Sequence, residues 1–393
     1  MSSLPPVVPG PLRVAMLTDA YPLGRSSVNG GVEGVCFYLS QALGVLGAVE
    51  LHVFVVGSER YGLRQPEVLQ ASGFTIHALP SRFPKWRVLS KTLFNPRRAL
   101  ERAGGFDLVH VQNEAIWAAR AGAGGVLTIH GFNERDTLFR GPPWLRPLKG
   151  WANRQFHPRF RARVRDIISI NPYVRTMLRP SPSQRLWDVE NPVDDAFFGV
   201  VRAPVPGRVL YAGTLNARKN VLALITGFAQ AARHSPAAEL RLAGSEADRP
   251  YVESCRELAA GLGLGARVRF LGSLKVGQMC EELAGAEVFA LCSLQETAPL
   301  AIAEAMASGV PVVASGVCGV PHMVAEGRTG WLADPSSPES VGRALQVALS
   351  HPGLDAVGRE AKAIAERRFR ASVVAAQTLH VYETVARDIH ARR

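Results

Sequence analysis

The chain has few features that would assign it to a simple class. Cysteine is scarce: five in 393 residues (Cys36, Cys255, Cys280, Cys292, Cys318), odd in number, with no CxxC pair. That excludes a disulfide framework and a zinc knuckle, and a reducing cytoplasm is the simplest setting. No GxGxxG follows the first strand-like run, which disfavours a nicotinamide dehydrogenase. No DxD stands at a strand end, and the adjacent Asp194-Asp195 pair falls in a proline-rich stretch, so no metal is expected. No basic n-region precedes an apolar core in Met1 to Pro11, so no signal peptide is visible. The longest uncharged run, Ala305 to Ala325, is broken by Pro311, Pro321 and three glycines, and reads as two buried strand-loop units, not a membrane span. Acid is the minority charge, 33 residues against 45 basic ones for a net +12. The excess suits an anionic partner: a nucleic acid, an anionic membrane or a phosphorylated substrate.

What is present is a core-forming composition, 47% hydrophobic and 20% charged. The length suits two domains. Leu12 to Thr18 reads as a buried strand, and Val32 to Gly47 as a helix with Val35, Leu39, Leu43 and Leu46 on one face. Further short β-rich runs are Leu51–Val56, Phe74–Leu79, Asp107–Val111, Val126–His130 and Asp166–Ile170. Continuous apolar strands separated by helices predict a parallel sheet covered on both faces. Periodicity lapses over Glu190 to Gly207, read as a linker, and the alternation resumes at Arg208. The expected division is 1–195, 196–370 and a C-terminal helix, 371–393, that packs back on the first domain. The first 200 residues hold 24 Lys/Arg against 15 Asp/Glu, net +9; the rest hold 21 against 18, net +3. Arg140 to Arg165 carries eight cations, no acid, and Trp144 and Trp151.

Four windows carry candidate chemistry. In Ala290 to Leu332, Glu296 lies in a loop, and Thr297, Ala298, Pro299 and Leu300 open a helix with Pro299 near its first turn. Glu304 sits inside that helix, near its apolar face. Free amides and the helix dipole there form an anion site between two acids. The same residues also suit a capped helix with two solvated glutamates. In Val209 to Phe228 a strand ends at Gly213-Thr214, and Arg218 and Lys219 precede a helix whose dipole they oppose. That placement suits a diphosphate; an exposed basic helix start is the plainer reading. In Thr18 to Gly34 a loop ends in Gly30-Gly31, which let a ligand approach backbone amides or simply make the loop flexible. Finally, His130 ends a strand where open α/β sheets bind ligands. His110 ends the preceding strand in a similar way, and either histidine also fits a structural role.

Together these windows resemble the GT-B retaining glycosyltransferases of family 4, over nearly the whole chain. The most specific part is Glu296-x7-Glu304 with the following AMASGVPVVAS, GVP and GRTGWL runs. The resemblance implies two Rossmann-like α/β domains facing across a cleft, the first for the acceptor and the second for the nucleotide sugar. It implies that Glu296 approaches the donor sugar, Glu304 binds the ribose, and the amides of Ala298 to Leu300 hold the diphosphate. Arg218 and Lys219 match the family's basic pair, Gly30 and Gly31 its glycine loop, His130 its histidine near the transferred sugar, and Asn191-Pro192 the turn before the linker. Three positions depart from the commonest pattern. Thr214 replaces an arginine, which shifts weight to Arg218 and Lys219; His322 replaces an acid; Ala298 replaces a glycine and tightens the sugar pocket.

The activity implied is transfer of a sugar from a UDP- or GDP-linked donor to a glycan or lipid-linked glycan, with anomeric configuration retained and no metal or other cofactor. A small soluble acceptor, and a nucleotide-sugar epimerase or hydrolase, are the alternatives. Nucleic acid is not an expected partner, since no RRM, KH or HTH pattern appears. The Arg140 to Arg165 segment suits an anionic membrane surface, or else a solvated basic helix. The expected location is the cytoplasm, peripheral on the inner face of the membrane.

Overall fold

The computed structural model describes residues 10–23, 30–84, 87–122, 125–136, 146–233, 235 and 237–392. Eight strands form the first sheet: β1 (Leu12–Thr18), β2 (Val49–Val56), β3 (Glu67–Ala71), β4 (Phe74–Leu79), β5 (Leu108–Gln112), β6 (Gly125–Ile129), β7 (Asp166–Ser169) and β8 (Arg185–Asp188). Their spatial order is β3-β4-β2-β1-β5-β6-β7-β8. Six form the second: β9 (Arg208–Ala212), β10 (Glu239–Ala243), β11 (Val268–Gly272), β12 (Val288–Leu291), β13 (Val312–Ser315) and β14 (Gly330–Ala333), in the order β11-β10-β9-β12-β13-β14. The second order is the doubly wound 3-2-1-4-5-6 arrangement, and the first is the same arrangement extended at its edges. Each sheet reverses its strand order once, between β1 and β5 and between β9 and β12. Crevices open there, beyond the carboxyl ends of the strands, and the two crevices face each other across a cleft.

The central strands are buried on both faces; every residue of β5, β6, β12 and β13 is buried. That is why they read as unbroken apolar runs. One strand departs from the all-parallel expectation. β3 pairs antiparallel to β4 at the sheet edge, and because it is mostly solvent-facing it has no apolar run to betray it. β8 was equally invisible: its Arg185 and Asp188 carry charge, and it too lies at an edge.

The helix α1 (Gly31–Leu46) starts beside the cleft, and its Val35 and Tyr38 pack into the core of the second unit. Segment 190–207 is tightly packed, not a loose tether. Asp194 caps a short helix, Asp195–Phe198, by accepting from the Ala196 amide at 2.8 Å, and Phe197 and Phe198 are buried in the second core. The chain crosses back beside itself: Val193 N donates to Phe369 O at 2.7 Å and Ala371 N to Val193 O at 3.2 Å. The last helix, here α6 (Ala371–His390), then buries Val374, Ala375, Val381, Tyr382 and Val385 in the core of the first sheet. The helices numbered between these two are α2 (Arg146–Arg161), α3 (Pro172–Leu178), α4 (Val221–Ala231) and α5 (Leu300–Ala307). Among the described residues no helix is long and apolar enough to cross a membrane.

Candidate active site

A cavity of about 510 Å³ occupies the cleft. It is lined from the first unit by Gly30, Gly31 and His130. The second unit contributes Gly213, Thr214, Arg218, Lys219, Glu296, Thr297, Ala298, Pro299, Leu300 and Glu304. These residues, all singled out from the sequence, therefore meet in one place.

Backbone shape makes the room. Gly213 follows β9 and Gly244 follows β10, both at positive φ, and a Cβ on Gly244 would stand 1.8 Å from Gly213 O. Only glycine permits that approach. Across the cleft, nothing lies within 4 Å of where a Cβ on Gly30 or Gly31 would stand, so open space borders the first amides of α1. Residues 24–29 of the same loop lie outside the described residues.

Arg218 and Lys219 sit on a single 3₁₀ turn (Ala217–Lys219), not at the start of the following helix, α4. The Asn216 side chain accepts from the Lys219 amide at 3.1 Å, and Asn220, at φ 57°, donates from Nδ2 to Pro335 O at 2.7 Å. The turn is pinned at both ends, and both cations converge on Glu296. Lys219 Nζ is 2.6 Å and Arg218 Nη1 3.0 Å from the same carboxylate oxygen, and Arg218 also donates to Gln295 O at 2.7 Å. Glu296 is only 9% exposed. Burial alone would push its carboxyl up; Lys219 and Arg218 outweigh that and hold it below the usual range. The cluster bears two positive charges and one negative, so a net positive charge faces the cleft.

Pro299 is the cap of α5 and precedes the helix instead of standing in its first turn. The turn before it is clamped from both sides. Gly319 N donates to Glu296 O at 3.0 Å, and a Cβ on Gly319 would collide with Thr297 O at 1.7 Å. From the first unit and the crossing segment, Asn171 Nδ2 donates to Gly319 O at 3.0 Å and Asn191 Nδ2 to Ala298 O at 3.1 Å. Asn171 caps α3 by accepting from the Tyr173 amide and was not identified from sequence; an Asn-Pro step at a strand end was the available signal. Ser245, Ser273 and Tyr38 also line the cavity and were missed. Ser245 lies just past β10, at the ligand-binding edge of the sheet, so its position alone was a clue.

Glu304 is the opposite of Glu296. Among the described residues nothing hydrogen-bonds or ion-pairs with its carboxyl. Burial, with Asp194 nearby adding repulsion, raises its pKa to about 7. An acid in that state is a ready acceptor for ligand hydroxyls. On the far wall, burial depresses His130 to about 4, so its ring is neutral at pH 7. Its Nε2 lies 2.7 Å from Gln112 Oε1. His110 does not reach the cavity and is 1% exposed beneath it. His322 is exposed, and its carbonyl accepts from Arg368 at 3.0 Å. Among the described residues no three His, Cys, Asp or Glu side chains converge as a metal site.

Two family models match in tandem: Glycosyltransferase Family 4 over residues 29–197 and Glycosyl transferases group 1 over residues 197–366. D-inositol 3-phosphate glycosyltransferase of Streptomyces avermitilis is 37% identical over 142 residues, 36% of this chain and 30% of that protein. The protein of the same name from Nocardioides sp. is 31% identical over 196 residues, 46% of this chain and 42% of its own length. The chain thus spans less than half the length of these curated relatives. Sucrose-phosphate synthase from Thermosynechococcus elongatus shares the fold at TM-score 0.79 and 21% identity, over 97% of this chain and all of that one. Anabaena HepE in complex with UDP-glucose does so at TM-score 0.69 and 17% identity, over 97% and 100%. Two sheets facing across one cleft, with both matches abutting at residue 197, place this chain among the GT-B glycosyltransferases of family 4 and group 1.

Proposed function

We propose that the chain transfers a sugar from a nucleoside diphosphate sugar to a glycan or lipid-linked glycan, with retention at the anomeric carbon. The observation that carries this reading is the pairing within one cavity of an unpartnered, half-buried carboxyl, Glu304, and the cation turn Arg218-Lys219. A nucleotide's ribose hydroxyls satisfy the first and its diphosphate the second. The second unit (196–370) then holds the donor and the first unit (1–195) the acceptor. The amides of Ala298 to Leu300 sit beside the diphosphate, and Glu296 reaches the sugar hydroxyls. Arg218 and Lys219 offset the charge that develops on the leaving diphosphate as the glycosidic C–O bond breaks. The acceptor hydroxyl attacks the same face and passes its proton to a departing phosphate oxygen. UDP is the favoured base, since HepE, which shares the fold, is known with UDP-glucose.

Thermal melting with UDP, GDP and other nucleotides tests the donor site, since a ligand at a hundred times its Kd adds about 2.7 kcal/mol of stability. No stabilisation by any nucleoside diphosphate would refute the assignment. Donor turnover that proceeds fully without acceptor would instead identify a hydrolase or epimerase.

The lipid-linked acceptor reading draws on α2. Leu148, Trp151 and Phe156 are 66%, 58% and 57% exposed there, among the exposed Lys149, Arg154 and Arg159, with Arg163 exposed just beyond the helix. Arg161 is instead buried against Glu134, and Arg165 faces Asp388 at 3.6 Å, so these two serve the fold. Arg140 and Trp144 lie outside the described residues. A cytoplasmic enzyme held at an anionic leaflet by this helix should co-sediment with anionic vesicles at low salt and release as salt rises, each surface cation contributing about 1 kcal/mol. Changing Lys149, Arg154, Arg159 and Arg163 together to Gln should reduce binding at least tenfold and leave nucleotide affinity unchanged. Binding indifferent to lipid charge and to this quadruple change would favour a soluble acceptor.

A further inference from the structure

Behind His130 runs a line of polar side chains sealed from water. Gln112, the last residue of β5, is 1% exposed, and its Oε1 faces His130 Nε2 at 2.7 Å. An amide oxygen only accepts, so that ring nitrogen carries the hydrogen. The orientation of the amide is itself decided one step deeper. Gln112 Nε2 lies 3.3 and 3.5 Å from the two ring nitrogens of His110, which places it against the ring face, where an N–H is favourable and an oxygen is not. His110 cannot turn away, because both its nitrogens are engaged: Nδ1 with the Tyr382 hydroxyl at 2.7 Å and Nε2 with Thr128 Oγ1 at 2.6 Å. His110, Thr128 and Tyr382 are all buried, and Tyr382 belongs to α6, at the other end of the sequence. Burial holds both rings neutral, and His130 adds to the depression of His110.

We infer that Gln112, locked by His110 and Tyr382, is a positioning residue that fixes His130 as the Nε2–H tautomer and leaves Nδ1 as a hydrogen-bond acceptor for a ligand hydroxyl in the cleft. No described residue engages that Nδ1. The inference rests on the sugar-transfer reading only for the identity of the hydroxyl, which would belong to the donor sugar or the acceptor. A neutral acceptor nitrogen selects an O–H and discriminates against phosphate oxygens, which have no hydrogen to offer. It also gives α6 a role beyond packing, since its Tyr382 anchors the line that sets the His130 tautomer.

The test uses the full chain labelled with ¹⁵N-histidine, with the His130 signals assigned by His130→Gln. The wild type should show Nε2 protonated, Nδ1 bare, and no titration above about pH 5. Gln112→Glu places a carboxylate opposite Nε2, so the titration midpoint of His130 should rise by about one to three pH units. Below the new midpoint Nδ1 is protonated, and the transfer rate should drop at least tenfold and recover as pH rises, while the KM for donor changes less than twofold. Gln112→Met keeps the volume and removes the acceptor, so the two tautomers should become mixed; this variant decides the matter should the buried carboxylate prevent folding. His130 signals in Gln112→Met identical to wild type, or an unmoved midpoint in folded Gln112→Glu, would overturn the inference. The ring signals are read without substrate, so intact signals in a protein that transfers no sugar would overturn the functional reading instead.

Discussion

Glu304→Gln should stabilise the ligand-free protein above pH 7 and, at the same time, weaken its hold on a nucleotide. The Glu304 carboxyl titrates near pH 7 in the folded chain, chiefly through burial and secondarily through Asp194, and near its ordinary value of 4.5 when unfolded. Between those pH values the folded state binds the extra proton, so stability falls as pH rises from about 4.5 to about 7 and then levels off. The full difference corresponds to about 3 kcal/mol; water reaching Glu304 from the cleft lowers it. Glutamine carries no charge to bury. Urea unfolding should therefore show little difference between variant and wild type near pH 4, and a gain of about 1–3 kcal/mol for the variant at pH 8. Calorimetry with the cognate nucleotide should show the opposite sign, a loss of about 1.5–3 kcal/mol where the ionised acid accepts both ribose hydroxyls. Nucleotide affinity of the wild type should rise with pH through about 7, and that rise should vanish in the variant. A folded variant with unchanged affinity would remove Glu304 from the donor site.

The second large effect concerns the cation turn. Lys219→Ala or Arg218→Ala should weaken a nucleoside diphosphate by about 1.5–3 kcal/mol and the corresponding nucleoside hardly at all, because only the former carries the charge these groups meet. Transfer should slow by about 10²–10³, the range for losing one donor aimed at developing negative charge. Each change also leaves Glu296 buried with a single partner, so stability falls too, toward the 3–5 kcal/mol of a broken buried pair. Glu296→Gln separates the two roles. It frees both cations, so diphosphate affinity should hold or tighten while sugar transfer drops. Equal losses for nucleoside and diphosphate would mean that Arg218 and Lys219 serve only to neutralise Glu296.

The candidate site was legible in the sequence to the extent that its residues lie beside strand ends and helix starts. Gly213, Arg218, Lys219 and His130 follow apolar runs whose length and flanks announce parallel strands, and the carboxyl end of such a strand is where ligands bind. Glu304 stood out because an acid on an apolar helical face calls for a partner or a ligand. The strands overlooked were β3 and β8, at the edges of the first sheet, where side chains face water and the apolar pattern dissolves, and β14, a four-residue run at the edge of the second. Nor could spacing show that Glu296 is clasped by Lys219 and Arg218, about eighty residues earlier, or that Asn171 and Asn191 reach across to the turn around Ala298.

From residue order alone follow the two α/β halves, the parallel central strands and the glycines that keep the cleft open, because burial on both faces and backbone clearance leave local marks in a chain. Tertiary structure decided the electrostatics. Glu296 and Glu304 are the same residue type eight positions apart, yet one is held ionised between two cations and the other is driven toward neutrality near pH 7. The His130 tautomer likewise depends on Tyr382, more than 250 residues away in sequence. A charge state and a proton position are set by what surrounds a group in space, and those surroundings are assembled from segments that the sequence keeps far apart.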